Sequence, residues 1–214
     1  MTVLDCATPE GRERGIRLAT DAVRGGGLIV LPTDTVYGVG ADAFSARAVA
    51  NLLEAKGRGR DMPPPVLVGS RAALGALVSA MPASGEELVD RFWPGPLTLV
   101  CRHTPHLAWD LGETAGTVAV RMPDHPLALD LLAATGPLAV SSANRTGMPA
   151  ATTAAKAEEM LGGSVSIYLD GGSTAGTTPS TIVDLTGVTP RVLRSGALSL
   201  EELRTVAPDL LGPS

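Results

Sequence analysis

The sequence predicts an α/β fold in which a twisted, mixed β-sheet is covered by helices. Short apolar runs alternate with amphipathic segments of helical length. Glycine and proline, 25 and 17 of 214 residues, punctuate the chain into many short elements. Apolar residues make up 44% and charged residues 18%, enough apolar surface for a sizeable core. Aromatics are only 3%, so that core must be built from Ala, Val, Leu and Ile.

Each element has a local reason. Thr8-Pro9-Glu10 reads as an N-cap followed by proline in the first turn, and Ile16, Ala19 and Val23 line one face of the helix that Gly25-Gly26-Gly27 stops. Leu28 to Leu31 is a buried strand ending at Pro32. Ser45 caps a helix carrying Val49, Leu52 and Leu53 and running out at Lys56-Gly57. Val66 to Val68 is a strand, Ser70 opens a helix through about Ala80, and Ser84 with Glu87 forms a capping box for the next. Leu97 to Cys101 and Thr117 to Met122 are strands, Pro126 to Ala134 is a helix, and Leu138 to Ser141 is a buried strand. A helix over Thr153 to Leu161 precedes strands at Val165 to Leu169, Thr181 to Leu185 and Arg191 to Leu193, and Ser199 with Glu202 caps the last helix. With no internal repeat and no long linker, one domain over 1–214 is expected.

Seventeen basic against 22 acidic residues give a net charge of −5, which excludes nucleic-acid binding over the whole surface but leaves a local basic groove open. Two cysteines, Cys6 and Cys101, cannot make a disulfide framework or a thiolate metal site and read as reduced thiols. The N-terminus lacks a signal-peptide apolar region, and no apolar run approaches the ~20 residues that span a bilayer. A soluble, cytoplasmic protein is expected.

Several segments carry chemistry-bearing side chains. Pro32-Thr33-Asp34-Thr35-Val36-Tyr37-Gly38 follows a buried strand, where ligands of α/β sheets gather, and its hydroxyls at alternate positions can face one polar ligand. It reads equally as a turn bonded by its own Thr and Asp side chains. Lys56-Gly57-Arg58-Gly59-Arg60 places three cations at a helix end, suited to phosphate oxygens or simply to the helix dipole. Only Lys56 and Lys156 among the 17 basic residues are lysines, which draws attention to Lys56 as a compact ammonium. Ser141-Ser142-Ala143-Asn144-Arg145 follows another buried strand but is no nucleophile elbow. His103, His106 and His125 offer no triad, and the His103/His106 pair lacks metal-binding companions. Arg121 sits inside a strand pattern, pointing to water or into a ligand site.

Together, PTDTVYGVG (32–40), KGR (56–58), FWPGPLT (92–98), VAVRMPDHP (118–126), SSANRTG (141–147), PSTIVD (179–184) and VLRSG (192–196) resemble the YrdC-like threonylcarbamoyl-AMP synthase family, over roughly residues 15–200. The resemblance implies a concave, locally basic ligand cleft and synthesis of L-threonylcarbamoyl-AMP from L-threonine, bicarbonate and ATP, with release of pyrophosphate. The threonine carbamate would attack the α-phosphate, so positioning and electrostatics would carry the catalysis and no protein nucleophile is needed.

By the same resemblance Lys56, Arg58, Ser142 and Asn144 form the catalytic set, and Lys56, Arg58, Arg60, Thr117, Ser142, Asn144 and Arg194 meet ATP. Thr33, Thr35, Arg121, Ser180 and Thr181 would receive L-threonine. Mg2+ would arrive on the ATP phosphates with no protein side chain as ligand. Replacing Lys56 by Ala is expected to abolish turnover without unfolding the protein, because a helix-end cation contributes little stability. The chain departs from the family pattern after Arg58, where Gly59 to Pro65 replaces a shorter proline motif, and leaves no room for the extra C-terminal domain of longer members. The product would pass to separate tRNA threonylcarbamoyl-transferase proteins, with at most a weak tRNA contact and no membrane. Two alternatives compete: a non-catalytic RNA-binding or ribosome-associated module, and a carbamoyltransferase like the related domain of hydrogenase-maturation proteins.

Overall fold

A computed structural model describes residues 2–213. In chain order its first half comprises β1 (Thr2–Asp5), α1 (Pro9–Arg24), β2 (Ile29–Leu31), β3 (Gly38–Asp42), α2 (Ala46–Lys56), β4 (Val66–Leu67), α3 (Arg71–Leu77), β5 (Val78–Ala80) and α4 (Ala83–Phe92). There follow β6 (Leu97–His103), β7 (Thr117–Arg121), α5 (Pro126–Thr135), β8 (Leu138–Ser142), α6 (Ala154–Leu161), β9 (Ile167–Asp170), β10 (Thr181–Asp184), β11 (Arg191–Arg194) and α7 (Leu200–Arg204). The strands join one sheet in the order β1-β9-β2-β3-β8-β4-β7-β6-β10-β11, with β5 added to β6. Parallel pairs (β1/β9, β2/β9, β4/β7, β6/β10) mix with antiparallel ones, so the expected mixed sheet is present.

Period-two alternation sends side chains to two separate cores. On one face Val30, Val39, Val66, Leu97, Leu99 and Val120 pack with Val49 and Leu52 of α2. On the other, Ile29, Leu31, Leu67, Leu138 and Val140 pack with Val23 of α1 and Leu131 of α5. Among the described residues this second core draws nothing from β6, β7, β10 or β11. There the same face presents Val100, Ala119 and Ile182 only partly buried. Half of one sheet face is therefore left without a helical cover, and the cleft opens beside it.

The caps follow sequence logic closely. Thr8 Oγ1 accepts from Gly11 N at 3.0 Å, and Ser199 with Glu202 forms the reciprocal box. Gly57, at φ 66°, takes the left-handed turn that ends α2. Two expectations are corrected, and one strand had no counterpart in them. The helix from Ser70 stops at Leu77, and Val78–Ala80 turns into a strand because β6 offers it an open edge. Ser84 and Glu87 form no capping box: the helix starts earlier, after Pro82, whose carbonyl accepts from Gly85 N and Glu86 N. The segment after Tyr37 is a central strand, β3, paired with β2 and β8. Its glycines have a packing reason, since a Cβ on Gly38 would lie 2.6 Å from Val140 Cγ1.

Candidate active site

A cleft of about 360 Å³ lies on the sheet face, with Leu67, Val140, Thr98 and Arg121 among the residues lining it. Four strands deliver one side of it. Strand β6 starts at Leu97–Thr98, β7 runs antiparallel to it and ends at Arg121, β10 runs parallel to it and starts just after Ser180, and β11 returns to end at Arg194. All four residues therefore reach the same end of the sheet. Thr98 Oγ1 and Ser180 Oγ share a hydrogen bond of 2.8 Å, and Arg194 donates to the Ser180 carbonyl at 2.7 Å and to its hydroxyl at 3.2 Å.

Arg121 is buried, 6% exposed, and its guanidinium is held on three sides. Nε donates to Gly95 O at 3.0 Å, one terminal nitrogen to Thr35 Oγ1 at 3.0 Å, and the other to Asp34 Oδ1. Thr35 Oγ1 in turn lies 3.0 Å from Thr33 Oγ1, which donates to Val36 O at 2.7 Å. The two alternate hydroxyls thus do face one way, toward an arginine.

The opposite wall comes from β8 and the segment after it. Arg58 donates to Ser141 Oγ at 3.1 Å and to Thr146 Oγ1 at 3.2 Å, with no carboxylate partner among the described residues. Burial pulls the Arg58 and Arg194 guanidiniums below their ordinary pKa, and the charges of Arg121 and Arg58 press on Arg194 in the same direction. Arginine stays protonated regardless. A buried guanidinium pressed by two neighbouring cations, as Arg194 is, will be relieved by an anion.

Lys56, which the resemblance puts on the ATP phosphates, neither stands at a solvated helix end nor lines this cleft. It is 1% exposed, and its ammonium donates to the carbonyls of Ser142 and Asn144 and, at 3.1 Å, to Asn144 Oδ1. Asn144 Nδ2 then donates to Arg145 O at 2.9 Å and Met148 O at 2.6 Å. A protonated lysine has three donors, and these contacts share them with a longer one, 3.4 Å, to Ser142 Oγ. Burial, assisted by the nearby Arg58 charge, pushes the Lys56 pKa down to about 7. Its geometric role is to hold the turn that presents Ser141 and Ser142 to the cleft.

The structure brings together Thr33, Thr35, Arg58, Arg121, Ser142, Asn144, Ser180 and Arg194 as cleft-lining residues, with Lys56 directly behind. It does not bring Arg60, Thr117 or Thr181 to that lining. Arg60 makes a two-pronged pair with Asp110, at 3.0 and 2.8 Å, on the exposed surface. Thr117 lies at the far end of β7 from Arg121 and donates to Thr114 O at 2.8 Å. Thr181 is buried and donates to Leu198 O at 2.7 Å. Residues not anticipated as site members include Thr98, Ser141 and, behind Arg121, Asp34. Thr98 was signalled by alternation, for Leu97, Leu99 and Cys101 all enter the core and Thr98 must face the other way. Among the described residues no group of three or more His, Cys, Asp or Glu could hold a metal ion, and no helix is long and apolar enough to cross a membrane.

A family model named Sua5/YciO/YrdC and described by the words telomere recombination matches residues 21–196. A Mycobacterium tuberculosis protein provisionally named threonylcarbamoyl-AMP synthase is 55% identical over 202 residues, covering 94% of this chain and 93% of the relative. The chain belongs to the Sua5/YciO/YrdC family. Among solved structures, Pyrococcus abyssi Sua5 complexed with L-threonine superposes with a TM-score of 0.94 at 38% identity, covering 99% of this chain. The chain spans 62% of the length of that Sua5. Escherichia coli YciO superposes with a TM-score of 0.83 at 25% identity, covering 94% of this chain and 97% of the other. The sheet order and helical cover described above are therefore those of the Sua5 and YciO fold.

Proposed function

We infer that this protein is a threonylcarbamoyl-AMP synthase, converting L-threonine, bicarbonate and ATP into L-threonylcarbamoyl-AMP, pyrophosphate and water. The observation that carries the reading is the mix of charge in one cleft: two guanidiniums with no carboxylate partner among the described residues, Arg58 and Arg194, beside Arg121, which is paired with Asp34 and flanked by the hydroxyls of Thr33 and Thr35. Uncompensated cations next to an offset guanidinium and hydroxyls suit a triphosphate beside a small hydroxy-amino acid. Relatives named for this activity, including the P. abyssi and M. tuberculosis proteins, support the assignment.

The chemistry asks little of side-chain nucleophiles, and no histidine lines the cleft. The amine of threonine takes up the carboxyl carbon of bicarbonate with loss of water, giving a carbamate. A carbamate oxygen then attacks the α-phosphorus and the bond to pyrophosphate breaks. Arg58 and Arg194 stabilise the charge that moves onto the leaving pyrophosphate, Arg121 orients the threonine carboxylate, and Lys56 with Asn144 fixes the turn bearing Ser142. Magnesium would arrive with the ATP phosphates. We extend the proposal to one catalytic domain over 1–214, acting in the cytoplasm and supplying the threonylcarbamoyl group for tRNA modification through separate transferase proteins.

Pyrophosphate release by the purified protein, measured with and without L-threonine and bicarbonate, tests this. Release that requires both, with L-serine a poorer substrate, is expected. No release from a folded sample that instead binds RNA in a salt-dependent manner would overturn the reading.

A further inference from the structure

Three guanidiniums converge on the cleft, yet only one carries a carboxylate. Arg121 is paired with Asp34 in a largely buried contact, with side chains 8% and 14% exposed. Arg58 and Arg194 bond only to hydroxyls and a carbonyl. Asp34 does not line the cleft. It sits behind Arg121, fixed by Asp124 N at 3.0 Å on the same oxygen that meets the guanidinium. Among the described residues its other oxygen is buried with no hydrogen-bond partner, so no further donor dilutes its negative charge beside Arg121.

Building on the synthase reading, we propose that Asp34 is a specificity determinant that cancels the charge of Arg121 and so reserves its subsite for the amino acid against phosphate. The geometry supports this in two ways. Of the five N–H donors of Arg121, three go to Gly95, Thr35 and Asp34. That leaves one N–H on each terminal nitrogen for a carboxylate to accept. The directional recognition of a single carboxylate is thereby kept while the charge of Arg121 is offset by Asp34. A polyphosphate, which is drawn by charge more than by direction, is left to Arg58 and Arg194. Without Asp34, all three cations would form one anion-attracting surface. The triphosphate of ATP could then spread onto Arg121 and exclude threonine.

Calorimetric titration of the full chain with L-threonine, alone and with saturating inorganic tripolyphosphate, tests this. The wild-type dissociation constant for threonine is expected to change by less than about twofold when tripolyphosphate is present, whereas in Asp34→Asn it should rise about tenfold or more. Asp34→Glu, which keeps the charge, should behave as the wild type does toward tripolyphosphate. Competition in the wild type, or its absence in a folded Asp34→Asn, would overturn the proposal while leaving the synthase reading intact. A wild-type protein that does not bind threonine at all would overturn both. Should Asp34→Asn fail to fold, the wild-type titration decides alone, since competition there refutes the proposal and its absence supports it.

Discussion

Replacing Lys56 by Ala should unfold the site before it touches the chemistry. The Lys56 ammonium is 1% exposed and satisfies two backbone carbonyls and one side-chain oxygen of the segment 142–144. Below pH about 7, where Lys56 is protonated in the folded protein, hydrogen bonds from its charged donor contribute about 1.5–3 kcal/mol each, and a buried carbonyl left bare costs about 1–3 kcal/mol. Removing the ammonium also relieves its desolvation, and water entering the vacated space recovers part of the loss. The net destabilisation should be about 3–5 kcal/mol, or roughly 10 °C in Tm for a chain of this size. Thermal unfolding followed by circular dichroism reads this directly. Arg58→Ala is the control, because Arg58 is half-buried and bonds only hydroxyls. It should melt within about 3 °C of wild type while losing pyrophosphate release by about 100-fold. A Lys56→Ala protein melting within about 2 °C of wild type, yet inactive, would refute the internal role and return Lys56 to direct contact with ligand.

Two further outcomes are expected. With its pKa at about 7 rather than the ordinary 10.5, Lys56 in the folded protein has released a proton that the unfolded chain still binds between those values. Stability therefore rises with pH across that window and falls as pH drops toward 7. The difference in Tm between wild type and Lys56→Gln should accordingly grow in favour of wild type from pH 7 to 9.5; a flat difference would contradict it. Gly38→Ala drives a methyl to 2.6 Å from Val140 Cγ1 and should cost about 1–3 kcal/mol in denaturant unfolding. Adding Val140→Ala should recover part of that loss, and strictly additive losses would show the contact to be irrelevant.

What could be read from the chain was whatever its physics keeps local. Thr8, Ser45, Ser70, Thr153 and Ser199 cap helices because each bonds a backbone N–H within three residues. Buried strands such as Ile29–Leu31 declare themselves by composition. Strand β3 did not, because Gly38 and Gly40 break the apolar pattern for the sake of Val140, about a hundred residues away in sequence. Lys56 shows the same limit within the site. Beside Gly57 and Arg58 it resembles a solvated helix end, and only the carbonyls 86 and 88 residues further on make it an interior cation. The cleft hydroxyls and arginines were legible through their motifs. Asp34 was visible in the same motif but acquired meaning only from Arg121, 87 residues on.

The uncovered half of the sheet has one more consequence. Arg121, Thr98 and Ser180 stand on or at the start of three neighbouring strands, β7, β6 and β10, locked in register by their ladders. Adjacent strands lie about 4.8 Å apart, and this spacing cannot be adjusted at one rung without moving the rest. The floor of the cleft is thus a graduated ruler, while the turns at 57–65 and 171–179 are free of that constraint. Substitutions in those turns can retune closure or solvent access, but the length of molecule that reaches from Arg121 to Ser180 is set by the backbone itself.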